Sequence, residues 1–246
     1  MGGLCLDYSA AAVPVRENLQ QTHREILEHL RGPGCWFRGA QRLAVAAESR
    51  AALDCALCGE RKAALSPGSV VGEHDRVSEL SPACVDVAHR VRVDSGRLSK
   101  GWFERTRDDL DEGAYVEVVG IVALLAGMDQ VCRALGIPRF ELPEPLPGEP
   151  SRQRPANLVS GIAWVPMLAP EDATGPEADL YVSEFVPNIM RALSSVPSHA
   201  RMLQRESITH YVPMDDLLNP EAGRDLDRTQ IELVAARVSA LNECFY

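Results

Sequence analysis

The sequence of 246 residues predicts an all-α fold in which two related helical halves are joined by a proline-rich linker. Hydrophobic residues make up 46% of the chain and aromatic residues only 5%, so Ala, Val and Leu dominate the expected core. This composition favours helices over sheets. Apolar residues also recur at three- and four-residue steps in several long runs, which is the period of an amphipathic helix.

The first half, residues 1–140, is expected to form a complete helical repeat. Residues 1–15 read as a loose arm. The most hydrophobic helix is expected over 114–135, because Gly136 then supplies the left-handed residue that ends many helices and Pro138 prevents its continuation. Further helices are predicted in four segments: 16–30, 39–53, 81–91 and 100–110.

Prolines divide the chain after this half. They cluster in ELPEPLPGEP and recur at Pro155, Pro166 and Pro170, so residues 141–176 are predicted to be an extended linker. Residues 177–246 would then begin a second repeat and leave it incomplete.

The last twenty residues, 227–246, contain the clearest helical pattern of the chain. Asp227 and Gln230 fit a capping box at the start of this helix. An apolar stripe follows at helical spacing. Its members are Ile231, Val234, Val238, Leu241 and Phe245.

A shift of 189 residues places LAVAAESRAALDC, which ends at Cys55, over ELVAARVSALNEC, which ends at Cys244. This match predicts an internal repeat. The counterpart of Cys58 would then follow Tyr246. A selenocysteine codon read as a stop, a shortened gene and a natural C-terminus each account for this end.

Charge and composition argue against several classes of function. The net charge of −10 and the pI near 5.1 argue against a nucleic-acid or anionic-membrane surface. The N-terminus has no secretory signal pattern, and the longest apolar run, 118–127, is about half a membrane span. A cytoplasmic protein is therefore expected. Seven cysteines, an odd number, argue against a disulfide framework.

Cys55 and Cys58 form a C-x-x-C motif. With Asp54 as the N-cap, Cys55 would lie in the first helical turn, where the helix dipole favours the thiolate. The motif is compatible with redox chemistry or with half of a zinc site. The remaining Cys and His residues offer no second pair at close spacing, so redox chemistry is favoured and no metal or cofactor is predicted. Cys84 is interpreted as a core thiol, His89 as a satisfied histidine, and His23 and His29 as solvated.

The segment from Glu232 to Cys244 resembles the active site of the alkylhydroperoxidase AhpD-like proteins, in the carboxymuconolactone decarboxylase superfamily. Their pattern is Glu, eleven residues, Cys-x-x-Cys, three residues and His. The resemblance implies an all-α AhpD-like repeat fold, an oligomer, and peroxide reduction in which the second Cys attacks, the first resolves, and Glu and His relay protons. Cys244 matches the resolving thiol and Glu232 the relay acid.

The first repeat departs from that pattern. Leu43 stands where Glu belongs and Lys62 where His belongs. The site in this repeat is therefore either degenerate, or Glu48 and Lys62 take different roles in it from the Glu and His of the family pattern.

Three functions follow from the sequence. The leading hypothesis is a thiol- or selenol-dependent peroxidase that takes a hydroperoxide substrate and a thiol reductant not specified by the sequence. A carboxymuconolactone decarboxylase-like enzyme and a non-catalytic helical oligomerisation module are the alternatives. A homo-oligomer is expected in each case, because Phe245, Tyr246 and the apolar stripe would otherwise be exposed.

Overall fold

The computed structural model describes residues 4–181, 186–213, 216, 219–223, 225–242 and 244. Over these residues the protein is mostly helical, with one small sheet, which confirms the all-α prediction. The helices are α1 (Glu17–Arg31), α2 (Gly39–Ala51), α3 (Ala56–Ala63), α4 (Pro82–Val93), α5 (Lys100–Asp109), α6 (Glu112–Leu135), α7 (Asn188–Arg191), α8 (Pro197–His210) and α9 (Arg228–Leu241). The antiparallel strands are β1 (Leu158–Val159) and β2 (Met167–Leu168), with Leu158 opposite Leu168.

The central helix is α6, which packs against α1, α2, α4 and α8. The Asp111 side chain caps it by accepting hydrogen bonds from the N–H groups of Gly113 and Ala114. It ends as predicted, with Gly136 at φ +70°. By length and composition α6 is the one helix in the described residues that could span a membrane, and half of its apolar window is buried inside this protein.

Residues of the predicted linker take part in the core. Met167, Leu168 and Ala169 are buried. The N–H of Leu168 donates to the hydroxyl of Ser194 at 2.8 Å. The segment is largely extended, as predicted for a linker. However, β1 and β2 pair within it, and this part of the segment packs against the rest of the protein. The boundaries drawn at 141–176 remain a prediction.

The first helix of the chain is covered by α8, and this corrects the prediction for its histidines. His23 is fully buried, and its ring contacts the Tyr8 hydroxyl at 2.6 Å and the His210 ring at 2.9 Å. His29 is half-buried and contacts the Arg42 guanidinium at 2.9 Å. The amphipathic pattern of α1 predicts only one buried face. The second buried face cannot be predicted locally, because α8, which covers it, lies about 180 residues further along the chain.

The helix α9 begins at Arg228, which is 189 residues after the start of α2 at Gly39. Its N-cap is Asp227, and the capping box with Gln230 is confirmed. None of its residues is buried. Of the predicted stripe, Val234 and Val238 are half exposed and Leu241 is 65% exposed. Phe245 and Tyr246 lie outside the described residues.

Candidate active site

The two thiols of the C-x-x-C motif lie at the start of α3, after the short turn that follows α2. Cys55 is the N-cap of α3, where Asp54 was expected, and Cys58 lies in the first turn. Residues three apart at a helix start share a face, so the two sulfur atoms point into one buried space. The N–H of Ala56 donates to the carboxylate of Asp75 at 2.8 Å, which ties the helix start to the following loop.

Two histidines complete a cluster with these thiols, which we call the thiol–histidine cluster: Cys55, Cys58, His74 and His89. His74 comes from the loop between α3 and α4, and its Nδ1 lies 3.6 Å from Cys55 Sγ and 3.5 Å from Cys58 Sγ. His89 comes from α4, and its Nδ1 lies 3.4 Å from Cys58 Sγ. One candidate ligand atom from each residue lies within 4.8 Å of the others.

A carboxylate holds the outer nitrogen of each ring. Glu48 of α2 accepts a hydrogen bond from His89 Nε2 at 2.9 Å, and Asp86 of α4 accepts one from His74 Nε2 at 2.8 Å. With Nε2 protonated by this pairing, each Nδ1 turns a lone pair towards the thiols.

Further donors fix both carboxylates. Glu48 accepts from the Ser78 hydroxyl at 2.6 Å and from the N–H of Val77 at 3.0 Å. Asp86 accepts from the Arg61 guanidinium at 2.8 Å and from the Trp102 indole at 2.7 Å. Each histidine is therefore oriented by a carboxylate that is itself held in place.

The pKa values of the two thiols move in opposite directions. Burial acts to raise the pKa of Cys55, but hydrogen bonds from the N–H groups of Cys58 and Asp75 are among the contacts that outweigh it, and the net shift is downward. Burial raises the pKa of Cys58, and the neighbouring Cys55 charge raises it further. Cys55 is therefore the thiol that ionises first.

The histidines and their carboxylates also titrate abnormally. Burial lowers the pKa of His89, and its contact with Glu48 opposes this only in part. For His74 burial acts in the same sense, but the hydrogen bond to Asp86 is among the contacts that reverse it, so its pKa is raised. The pKa of Asp86 is lowered despite its burial, because His74 and Trp102 donate to it.

The cluster lies beside a pocket and outside the main hydrophobic core. A pocket of about 490 Å³ reaches the cluster at His74. Its wall also includes Asp86, Trp102, Arg61 and Arg105. The thiols are less than 5% exposed. Their buried apolar neighbours form a small separate group with Ala52 and Leu57.

The residues singled out near the end of the chain make no described hydrogen bond or ion pair with the cluster. Glu232 is exposed on α9, where it accepts from the Tyr211 hydroxyl and pairs with Arg228. Cys244 is exposed beyond the end of that helix and lines a groove of about 980 Å³ with Leu53 and Gly59. No described contact joins Glu232 to Cys244, and their joint role stays a prediction.

Sequence reasoning found the thiol pair but missed its partners. The sequence predicts a satisfied histidine at His89 and only a possible substitute acid at Glu48. The spacing of Cys and His along the chain does not indicate zinc, because His74 and His89 come from separate segments and meet the thiols only in the fold. Lys62, the other suggested substitute, is exposed and outside the cluster. The helical spacing of Asp86 and His89 on α4 was the one available signal.

Comparisons with known protein families, with curated proteins and with solved structures gave no match to this chain.

Proposed function

We propose that the chain is a thiol-dependent peroxidase of the AhpD-like type, with Cys55 and Cys58 as its dithiol and Glu48 and His89 as its proton relay. The observation that carries the proposal is the continuous line from Glu48 through the His89 ring to Cys58 Sγ, with contacts of 2.9 and 3.4 Å. A positioned histidine held by a carboxylate is the arrangement that accepts a thiol proton.

The reaction needs two displacements at sulfur. The Cys55 thiolate attacks a hydroperoxide, the S–O bond forms as the O–O bond breaks, and the alcohol leaves after taking up a proton. Cys58 then loses its proton to His89 Nδ1 and attacks the sulfenic sulfur, so that a disulfide forms and hydroxide leaves as water. An external thiol reductant returns both cysteines to the reduced state.

These roles reverse the order that the family resemblance implies, in which the second cysteine attacks. Two placements support the reversal. Cys55 lies at the N-terminus of α3, where backbone N–H groups stabilise a thiolate. Cys58 contacts His89, so it has a base at hand when it resolves the intermediate.

A second centre at Glu232 and Cys244, with a thiol or selenol partner, remains part of this proposal on the resemblance alone. It is separable from the first centre, because Cys244 shares no described contact with the thiol–histidine cluster. Cys55→Ser and Cys244→Ser variants assayed side by side would assign the activity to one centre or the other.

Turnover of hydroperoxide by reduced, metal-free protein with a small dithiol reductant tests the proposal. Cys55→Ser is expected to abolish peroxide consumption, and Cys58→Ser is expected to stop it after one equivalent, when Cys55 has become a sulfenic acid. Cys5→Ser is the matched control, because that thiol is exposed in the N-terminal arm and outside the cluster. Unchanged consumption in both cluster variants would refute the dithiol assignment and favour the non-catalytic helical module. The alternative of a carboxymuconolactone decarboxylase-like enzyme would require a different result, namely turnover of a lactone acid without any thiol.

A further inference from the structure

We propose that the reduced thiol–histidine cluster binds one Zn²⁺ ion through Cys55 Sγ, Cys58 Sγ, His74 Nδ1 and His89 Nδ1. This inference goes beyond the peroxidase proposal and does not depend on it, since it concerns only how four side chains meet. Two thiolates and two imidazoles form one of the common tetrahedral zinc sites of proteins.

The spacing of the four atoms matches that coordination. Zinc lies about 2.3 Å from a thiolate sulfur and about 2.0 Å from an imidazole nitrogen, so the sulfur–nitrogen edge of a tetrahedron is about 3.5 Å. The three sulfur–nitrogen contacts in the cluster measure 3.6, 3.5 and 3.4 Å. These three separations are the ones that a metal would impose, and the remaining pairs of candidate ligand atoms lie within 4.8 Å of each other.

Hydrogen bonding alone does not satisfy the cluster. Each neutral thiol has one proton to donate, yet Cys58 Sγ lies within contact of both His74 Nδ1 and His89 Nδ1. His74 Nδ1 in turn has one lone pair for two sulfur atoms. A cation at the centre would use every lone pair at once.

The outer contacts of both rings are those of metal-binding histidines. Such histidines present one nitrogen to the metal and donate the other N–H to a carboxylate, which fixes the ring and increases its basicity. Glu48 and Asp86 serve His89 and His74 in this way, at 2.9 and 2.8 Å. Two independent carboxylate–histidine pairs therefore direct their Nδ1 atoms at the same two thiols.

The local fold also needs a crosslink. The helix α3 has only eight residues, and its buried apolar contacts are confined to the small group around Ala52 and Leu57. The loop that follows exposes Leu65, Val71 and Val77. A metal that joins α3, this loop and α4 would hold together a region with little core of its own.

Zinc and the disulfide would exclude one another. Oxidation of the two thiolates by a hydroperoxide would form the S–S bond, reduce the hydroperoxide to alcohol and water with two protons taken from solvent, and release Zn²⁺. This coupling, unlike zinc binding itself, rests on the proposed function.

Metal content and cobalt spectroscopy test the site. The reduced 246-residue protein, prepared without oxygen, is expected to take up one Zn²⁺ per chain, and Co²⁺ in its place should give thiolate charge-transfer absorption and tetrahedral ligand-field bands. Cys58→Ser and His89→Gln should lose the site, while Cys5→Ser should keep it. Asp86→Asn leaves all four ligands in place and should weaken zinc binding by about tenfold or more.

Binding of Zn²⁺ to the Cys58→Ser and His89→Gln variants as tightly as to the unaltered protein, with far-UV dichroism showing all of them folded, would overturn the proposal. So would the absence of tetrahedral cobalt bands in the folded, reduced protein. Peroxide turnover by metal-free protein is measured separately. Zinc binding without turnover would reject only the peroxidase, and turnover without zinc binding would reject only the metal site.

Discussion

At the scale of single residues, Glu48 decides what His89 can do. Its carboxylate accepts from His89 Nε2 at 2.9 Å, and this fixes the ring tautomer that leaves Nδ1 free to face Cys58. The sequence places Glu48 in the middle of an Ala-rich helix and His89 forty-one residues later, so no local pattern joins them. The packing of α2 on α4 creates the pair.

Glu48→Gln is expected to slow disulfide formation in metal-free protein at least tenfold. An amide that donates to His89 Nε2 would move the ring proton to Nδ1, so the base beside Cys58 would be lost, and a positioned base typically contributes about 10²–10⁴ in rate. Stopped-flow measurement of thiol loss after hydroperoxide addition checks this. Glu144→Gln, at an exposed position, is the matched control. A rate within twofold of the unaltered protein would remove Glu48 from the relay.

Glu206 makes stability depend on pH. Burial beneath Gly127 of α6 raises its pKa to about 8. His210 Nδ1 lies 3.7 Å from the Glu206 carboxylate, but burial lowers the pKa of His210 to about 4, so this ring is neutral above that pH. Two groups from the start of the chain reach the same end of α8. His23 of α1 contacts the His210 ring, and Arg16, the residue before α1, donates to the Thr209 carbonyl.

The raised pKa of Glu206 means that the free energy of unfolding falls as the pH rises. The neutral acid is the form the folded protein prefers, so its stabilising contribution is complete below the unfolded pKa near 4.5 and is lost as the pH rises towards 8. Glu206→Gln should therefore be more stable than the unaltered protein at pH 8, by on the order of 2 kcal/mol or several degrees in Tm, with no gain at pH 4.5. Thermal unfolding at both values measures this. An equal change in Tm at pH 4.5 and at pH 8 would contradict this prediction.

At the scale of elements, α6 and α8 pack closely against each other at Gly120 of α6. A Cβ on Gly120 would lie 2.7 Å from Cγ of the fully buried His199, which has no room to move. On α3, by contrast, nothing lies within 4 Å of a Cβ added to Gly59.

Gly120→Ala is expected to destabilise the protein by about 1–3 kcal/mol through overpacking, whereas Gly59→Ala should stabilise it by up to about 1 kcal/mol through helix propensity. Denaturant unfolding of the pair supplies the comparison, with the same residue change in both. If both alanines behave alike, the close packing of α8 on α6 is wrong.

Removal of a bound metal should loosen α3 and the loop at 64–81 while α6 keeps its protection. The first region has a small apolar group of its own, whereas α6 lies in the main core. Amide hydrogen exchange, followed with and without a zinc chelator on the reduced protein, makes the comparison. Uniform loosening, or none, would contradict this division.

The elements that the sequence predicted well are those with strong local signals. The capping box of α9 and the glycine that ends α6 were placed correctly because cap chemistry resides in adjacent residues. The N-cap of α3 was misplaced by one residue, since Asp54 and Cys55 are both plausible from sequence. His74 lies in a loop with no periodic pattern, and only the fold brings it to the thiols.

At the scale of the whole molecule, the second half of the chain folds back on the first. The helix α8 packs on α1 and α6, so residues some 180 positions apart share one core. The sequence indicates the helices but not this contact, because the buried His23 of α1 looks like a surface residue when the pattern of that helix is read alone.

Self-association is expected through α9. Leu233 is 71% exposed and Leu241 is 65% exposed, and a second copy of the chain is the simplest partner for such a surface. Sedimentation velocity should show a dimer or larger species, and the combined Leu233→Glu and Leu241→Glu changes should shift it towards monomer. Arg237→Gln, on the same helix, is the control. A monomer at all concentrations would refute this expectation.

The central claim is that Cys55 and Cys58 form one redox centre, and peptide mapping of the oxidised protein tests it most directly. Reduced, metal-free protein is treated with one equivalent of hydroperoxide, alkylated and digested. We expect a Cys55–Cys58 disulfide in the unaltered protein and a trapped sulfenic acid on Cys55 in Cys58→Ser. If both thiols are instead recovered alkylated while the peroxide is consumed elsewhere, the thiol–histidine cluster is not the active site.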